Sequence, residues 1–270
     1  MAMADLFEFK PGIGPLKLNV VELFRRLRTN DDPVTRVAVR FLRLFAEHGV
    51  AISQIQHLLP TVTLDKLATF DALLPALTTD VIEQAAQLFG VQHAWLEGVT
   101  ERIYEPRFSY REPRAFVEDL FQLVGGDFAF PVRVLYSGKS LDRTALRAQP
   151  LALLLAETLC TLGNEEIFRF KVYSDPWDWS AYGCRIQLKA LTRHAHFTTR
   201  TPVPLYHVDY RVLEEVRDGI RIPRDLLKGP LLTEPSLEDF ALAYQESAVA
   251  KEVEELPDVL SYMRLHALSC

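Results

Sequence analysis

Cysteine is scarce in this chain: Cys160, Cys184 and Cys270 are the three in 270 residues. They are odd in number, far apart and without a CxxC pair, which argues against a disulfide framework and against close zinc-ligand spacing. Long apolar runs are missing too. Nothing approaches the ~18 consecutive apolar residues of a membrane span, so no membrane partner is expected. The first ten residues, Met-Ala-Met-Ala-Asp-Leu-Phe-Glu-Phe-Lys, carry acids and no apolar core, unlike a secretory signal. A cytoplasmic location is the default expectation. Positive charge is not in excess either: 30 Lys and Arg face 36 Asp and Glu, a net charge of −6. That weighs against a protein that binds nucleic acid over its whole surface, though not against a small local footprint. Gly12-Ile13-Gly14-Pro15 resembles a phosphate loop only superficially, because no Gly-Lys-Ser or Gly-Lys-Thr follows it, and no cofactor is expected.

What is present is an ordinary globular balance, 49% hydrophobic and 24% charged, in a length that permits one large domain or two ordinary ones. Residues 1–18 read as an arm. Leu18–Arg28 has helical spacing. Asp32 before Pro33 opens a second helix that Gly49 stops. Arg25, Arg26, Arg28, Arg36, Arg40 and Arg43 make this the most basic stretch, either a phosphate-contacting surface or a solvated helix face. Short helices follow at Ile52–Leu59, Thr63–Leu74 and Val81–Phe89, with tight turns between them. That describes a compact all-α unit of DNA-binding size.

The most informative stretch is Asp80–Gly98. Ala86 and Gly90 have the separation of a helix-turn-helix, in which a small residue lets the helices cross and glycine takes a left-handed turn. Ala85, Phe89, Val91, Leu96 and Val99 are apolar where the seam should lie. Ala-Ala-Gln-Leu-Phe-Gly-Val-Gln-His-Ala-Trp-Leu-Glu-Gly resembles the closing helices of Cro/CI-type, lambda-repressor-like domains. The resemblance covers about seventy residues and implies five helices near 34–48, 51–59, 63–74, 79–89 and 92–97. It implies that the second and third helices meet DNA, with Ser53, Gln54, Gln56, Thr61, Thr63, Lys66 and Thr69 as readers, and the basic stretch adds Arg36 and Arg40 as candidate phosphate contacts. Two features depart from that family. Leu59-Pro60-Thr61-Val62 replaces the usual Gly-Val-Ser turn, and Asp65 and Asp71 face an anion poorly. The alternative reading unit is 80–98 itself, with Gln92 and His93 at the front of the recognition helix.

After the charged, proline-bearing linker Tyr104–Arg114, strand and helix patterns alternate. Helices are expected at Arg114–Val124, Leu151–Leu162 (closed by Gly163), Ala181–His194 and Tyr210–Asp218. Strands are expected at Phe128–Tyr136, at Ile167–Tyr173 with one wet basic face, and at Val203–Val208. The tail from Ser236 to Leu268 reads as helical, broken at Pro257. Tyr173, Trp177, Trp179 and Tyr182 form an aromatic concentration that either lines a ligand pocket or fills the core. Asp175 with Lys189 is a faint acid-then-lysine pattern, and Gln187 stands where a second acid would be needed. His194 and His196 have no cysteine or carboxylate cluster beside them. No catalytic or metal-binding residue is assigned.

The sequence therefore predicts an α+β protein. A repressor-like helix-turn-helix domain over 1–105 precedes a small mixed α/β domain with a helical tail over 106–270. The resemblance implies a DNA-binding transcriptional regulator. Its partner would be double-stranded DNA, it would be a homodimer, and its C-terminal domain would sense a small molecule, bind a protein or hold the dimer. The alternative is a protein-interaction adaptor whose helix-turn-helix no longer binds DNA. An enzyme of unidentified chemistry is the third reading.

Overall fold

The computed structural model describes residues 32–123, 130–138, 141–228 and 254–268. The arm 1–18, the helix expected at Leu18–Arg28 and the tail up to residue 253 lie outside the described residues.

Helix α1 (Pro33–Glu47) begins as its sequence dictates. The Asp32 carboxylate accepts from the Thr35 amide at 3.0 Å and from its hydroxyl at 2.8 Å, and Pro33 occupies the first turn. Gly49, at φ +81°, turns the chain out of the helix. A 3₁₀ turn at Ile52–Gln54 runs into α2 (Ile55–Leu58). There follow α3 (Leu64–Leu67), α4 (Phe70–Leu73), a 3₁₀ turn at Leu74–Ala76, α5 (Thr79–Phe89) and α6 (His93–Leu96). Helices therefore occupy all five spans expected from the sequence, with one difference: 63–74 is not one helix. Thr69 is extended (φ −140°, ψ 160°), and its hydroxyl accepts from the Ala72 amide at 3.2 Å. A β-branched residue with a capping hydroxyl restarts the helix instead of continuing it.

The remaining elements are α7 (Arg114–Phe121), β1 (Val132–Tyr136), β2 (Pro150–Leu162), β3 (Glu165–Val172), β4 (Trp177–Asp178), α8 (Tyr182–Thr199), β5 (Leu205–His207), α9 (Tyr210–Arg217) and α10 (Leu256–Leu265). The sheet order is β3-β2-β1-β5, with β4 paired to the start of β2. β1, β2 and β3 form an antiparallel meander, and β5 returns through α8 to lie parallel to β1. Pro257 lies in the first turn of α10, so it opens that helix; it does not break one.

β2 is the clearest departure from the sequence expectation, which placed a helix at Leu151–Leu162. Leucine and alanine favour a helix by only a few tenths of a kcal/mol per residue. β2 is instead the central strand. Ala152, Leu154 and Ala156 enter one core, and Leu151, Leu153 and Leu155 enter the other. Burying a leucine side chain contributes ~2 kcal/mol, so tertiary burial overrides local preference. Gly163 (φ +65°) with Asn164 forms the hairpin turn between Leu162 and Glu165, which pair across it.

The two faces of the sheet carry the two cores. On the front, Phe41, Phe45, Phe89 and Trp95 of the helical layer share one cluster with Leu154, Phe170 and Val172 of the sheet and with Leu213 and Val216 of α9. On the rear, Phe116 and Leu120 of α7, Leu188 and Leu191 of α8, and Val259 and Met263 of α10 pack with Leu151, Leu153, Leu155, Trp177 and Trp179. The expected linker 104–114 is built into this body. Tyr104 is buried, Arg107 makes a parallel bridge with Tyr173, and Ser109 and Tyr110 bind Asp175. The expected wet face of β3 is covered as well. Arg169 reaches α5, and Lys171 pairs with Asp119 of α7 at 2.8 Å. Among the described residues no helix is long and apolar enough to cross a membrane.

Candidate functional site

The residues that the repressor resemblance brings forward lie on the outer helices between Ile52 and Ala76. Val62, fully buried, pins the turn after α2, and its amide donates to the Leu59 carbonyl at 2.9 Å. This closes the Leu59-Pro60-Thr61-Val62 turn without the glycine that the family uses. Ser53, Thr61, Thr63 and Thr69 are exposed, and Gln54, Gln56 and Lys66 are half-buried. Several are already engaged. Gln54 accepts from the Ala51 amide at 3.0 Å, Thr63 donates to Asp65, and Thr69 caps α4. The Lys66 ammonium donates to the Thr61 carbonyl at 2.9 Å.

The two arginines expected at phosphates are placed differently from each other. Arg40 is buried. It donates to the carbonyls of Trp95 and Thr100 and pairs with Glu101, so it ties α1 to the end of α6 and faces no solvent partner. Arg36 is half-buried and packs on Gly98, where a β-carbon would come within 3.0 Å of its Cδ. The alternative reading unit is committed as well. The Gln92 side chain donates to the Tyr104 carbonyl at 3.0 Å, and His93 stands 3.2 Å from Glu97. The turn itself is as the spacing demands: Gly90 is left-handed at φ +68°, and Ala85, Ala86, Phe89, Val91 and Leu96 are buried. Val99, expected in the same seam, is 77% exposed.

Charge distinguishes the outer surface. Between Ile52 and Gln84 the chain has four carboxylates, Asp65, Asp71, Asp80 and Glu83, and one lysine, Lys66. The hydrogen bond from Thr63 holds the Asp65 carboxyl below its usual range, so it stays ionised. Asp71 and Asp80 sit in first helical turns, where the helix dipole favours a negative charge. A groove of about 500 Å³ opens between α3–α4 and the start of α5. Asp65 and Asp80 line it, and Ala72, Pro75, Ala76 and Val81 supply its apolar lining.

In the α/β part, Tyr173, Trp177 and Trp179 are buried in the rear core, where they fill space. Burial, together with Asp119, pushes the Tyr173 hydroxyl far up. Tyr182, of the expected aromatic set, borders a cavity of about 340 Å³ with Arg143, Arg185 and Glu255. Its hydroxyl bonds to Asp258, which pushes its pKa up to about 12. Arg185 and Lys189 of α8 both close on Glu255, at 2.6 and 2.7 Å. Asp175 accepts from the Ser109 amide and hydroxyl and from the Tyr110 amide, 2.8–2.9 Å away. Asp175 and Lys189 therefore serve separate networks. His194 is buried beside Phe121, and His196 bonds the Thr201 carbonyl at 2.9 Å. Among the described residues no three His, Cys, Asp or Glu side chains converge as a metal ion would need.

The sequence reading missed the groove and the role of Arg169. Compared with family models, with curated proteins and with solved structures, the chain matches none.

Proposed function

We infer that this chain is a protein-interaction module. A repressor-like set of helices, packed on an α/β body, presents its outer surface to a protein partner and not to DNA. The observation that carries this reading is the charge of that surface. A phosphate backbone is bound by clustered Lys and Arg. From Ile52 to Gln84 there are four carboxylates against one lysine, and that lysine is hydrogen-bonded to a backbone carbonyl. Arg40, the cation one turn beyond Arg36 on α1, is buried in its own network.

A second reading, a DNA-binding regulator with a dimerising or ligand-sensing α/β part, is supported by a different observation. The helices fall on the spans of a lambda-repressor-like domain, and Ser53, Thr61, Thr63 and Thr69 face solvent on the second and third of them.

Fluorescence anisotropy of a labelled random-sequence duplex at two salt concentrations separates the two. DNA-reading domains bind random duplex at low salt and release it steeply as salt rises. The interaction reading expects no binding at either. Low-salt binding with a steep salt slope overturns it in favour of the regulator.

A further inference from the structure

We propose that the groove between α3–α4 and the start of α5 seats a lysine- or arginine-bearing peptide segment of a protein partner. The proposal rests on the interaction reading and names the chemistry of the partner. The groove has room, about 500 Å³, for one or two side chains. Ala72, Pro75, Ala76 and Val81 are the small or compact apolar part of its lining, and Thr61, Thr78 and Gln84 add polar side chains. Asp65 on α3 and Asp80 on α5 bring carboxylates to it from two different elements. A lysine or arginine suits such a site because its methylene stem lies along apolar surface while its cationic head stays among carboxylates and water. Lys66 lines the groove too, its ammonium held on the Thr61 carbonyl and its charge already acting on Asp65, so the carboxylate left without a side-chain partner among the described residues is Asp80. A polyanion meets the reverse situation: it would have to approach these carboxylates with one lysine to offset them.

The test uses the full chain and two labelled twelve-residue peptides of alternating lysine and leucine or glutamate and leucine, followed by anisotropy. The lysine peptide is expected to bind, more weakly at high salt, and the glutamate peptide is not. Asp65→Asn with Asp80→Asn is expected to weaken binding about five- to tenfold, as two exposed ion pairs do. Asp71→Asn, outside the groove lining, is expected to leave it unchanged. Circular dichroism melts of each variant confirm that the helices remain. Equal binding by the double variant, or no binding of the lysine peptide, overturns the proposal. A labelled duplex in the same assay distinguishes the two failures. If neither ligand binds, the groove assignment fails and the interaction reading stands. If the duplex binds, that reading fails too.

Discussion

The side chain of Arg169 on β3 lies against Gly90 in the α5–α6 turn, its Cγ 3.2 Å from where a β-carbon would stand. From there its guanidinium donates to the carbonyls of Leu88 and Gln87 at 2.8 and 2.9 Å, the last acceptors of α5. The glycine that the helix-turn-helix spacing demands is thus also one of the contacts between the helical layer and the sheet. Gly90→Ala is expected to destabilise the chain by about 1–2 kcal/mol from the left-handed backbone alone. A further loss should come as Arg169 is displaced. Urea denaturation should show a lower midpoint with an unchanged slope.

Because one core joins the helical layer to the sheet, the two are expected to unfold together. Trp95 reports the front core, and Trp177 and Trp179 report the rear. Fluorescence of Trp95→Phe and of the double variant Trp177→Phe with Trp179→Phe should each match its own circular dichroism transition. A fluorescence transition at lower denaturant in the variant that keeps Trp95 would mean that the helices detach first.

Glu255 is 6% exposed at its side chain and receives both Arg185 and Lys189. Glu255→Gln leaves a buried guanidinium and a buried ammonium without their carboxylate, which is expected to cost about 3–5 kcal/mol. Burial alone pushes the Glu255 carboxyl up. Hydrogen bonds from Arg185 and Lys189 more than reverse this, so it lies below the ordinary value of 4.5. This stabilisation is present above about pH 4.5 and is lost as the pH falls through the depressed folded value. Chemical denaturation of the variant at pH 7 checks the magnitude.

His48 titrates in a different window. It is fully buried against Phe89, with ring centroids 4.1 Å apart, and faces Phe170 and Arg224. Burial lowers its pKa to about 3. A hydrogen bond to the Leu44 carbonyl opposes the shift, and the Arg224 charge adds to it. The unfolded chain takes up the proton near pH 6.5, so stability is full above that value and falls as the pH drops towards 3. Between pH 6.5 and 4.5 the loss is expected to be about 2–3 kcal/mol. His48→Phe should flatten this part of the profile.

How much was legible in the sequence followed from where the information lay. Asp32-Pro33, Gly49 and Gly90 act within one turn of chain, and they placed α1 and the end of α5 to within a residue, whereas α5 starts at Thr79, two residues before the expected Val81. β2 was misread because a strand buried on both faces does not alternate, and Leu-Ala-Leu-Leu-Leu-Ala then favours a helix. The signal that could have found it is Gly163-Asn164, a two-residue hairpin turn between Leu162 and Glu165. Arg169 and Lys171 read as a solvated face because their partners, the α5 carbonyls and Asp119, are far away in sequence. The groove was invisible because its lining, from Thr61 to Gln84, comes together only when α3, α4 and the start of α5 pack.

The central claim is that the outer helices face protein and not DNA. Its most direct test is retention of sheared genomic DNA by the purified full chain at low and moderate salt, with sequencing of what is retained. The expected result is no enriched site at either salt. Enrichment of discrete sites, lost in Gln56→Ala or Lys66→Ala and kept in Gln92→Ala, would contradict the claim and identify the second and third helices as readers of DNA.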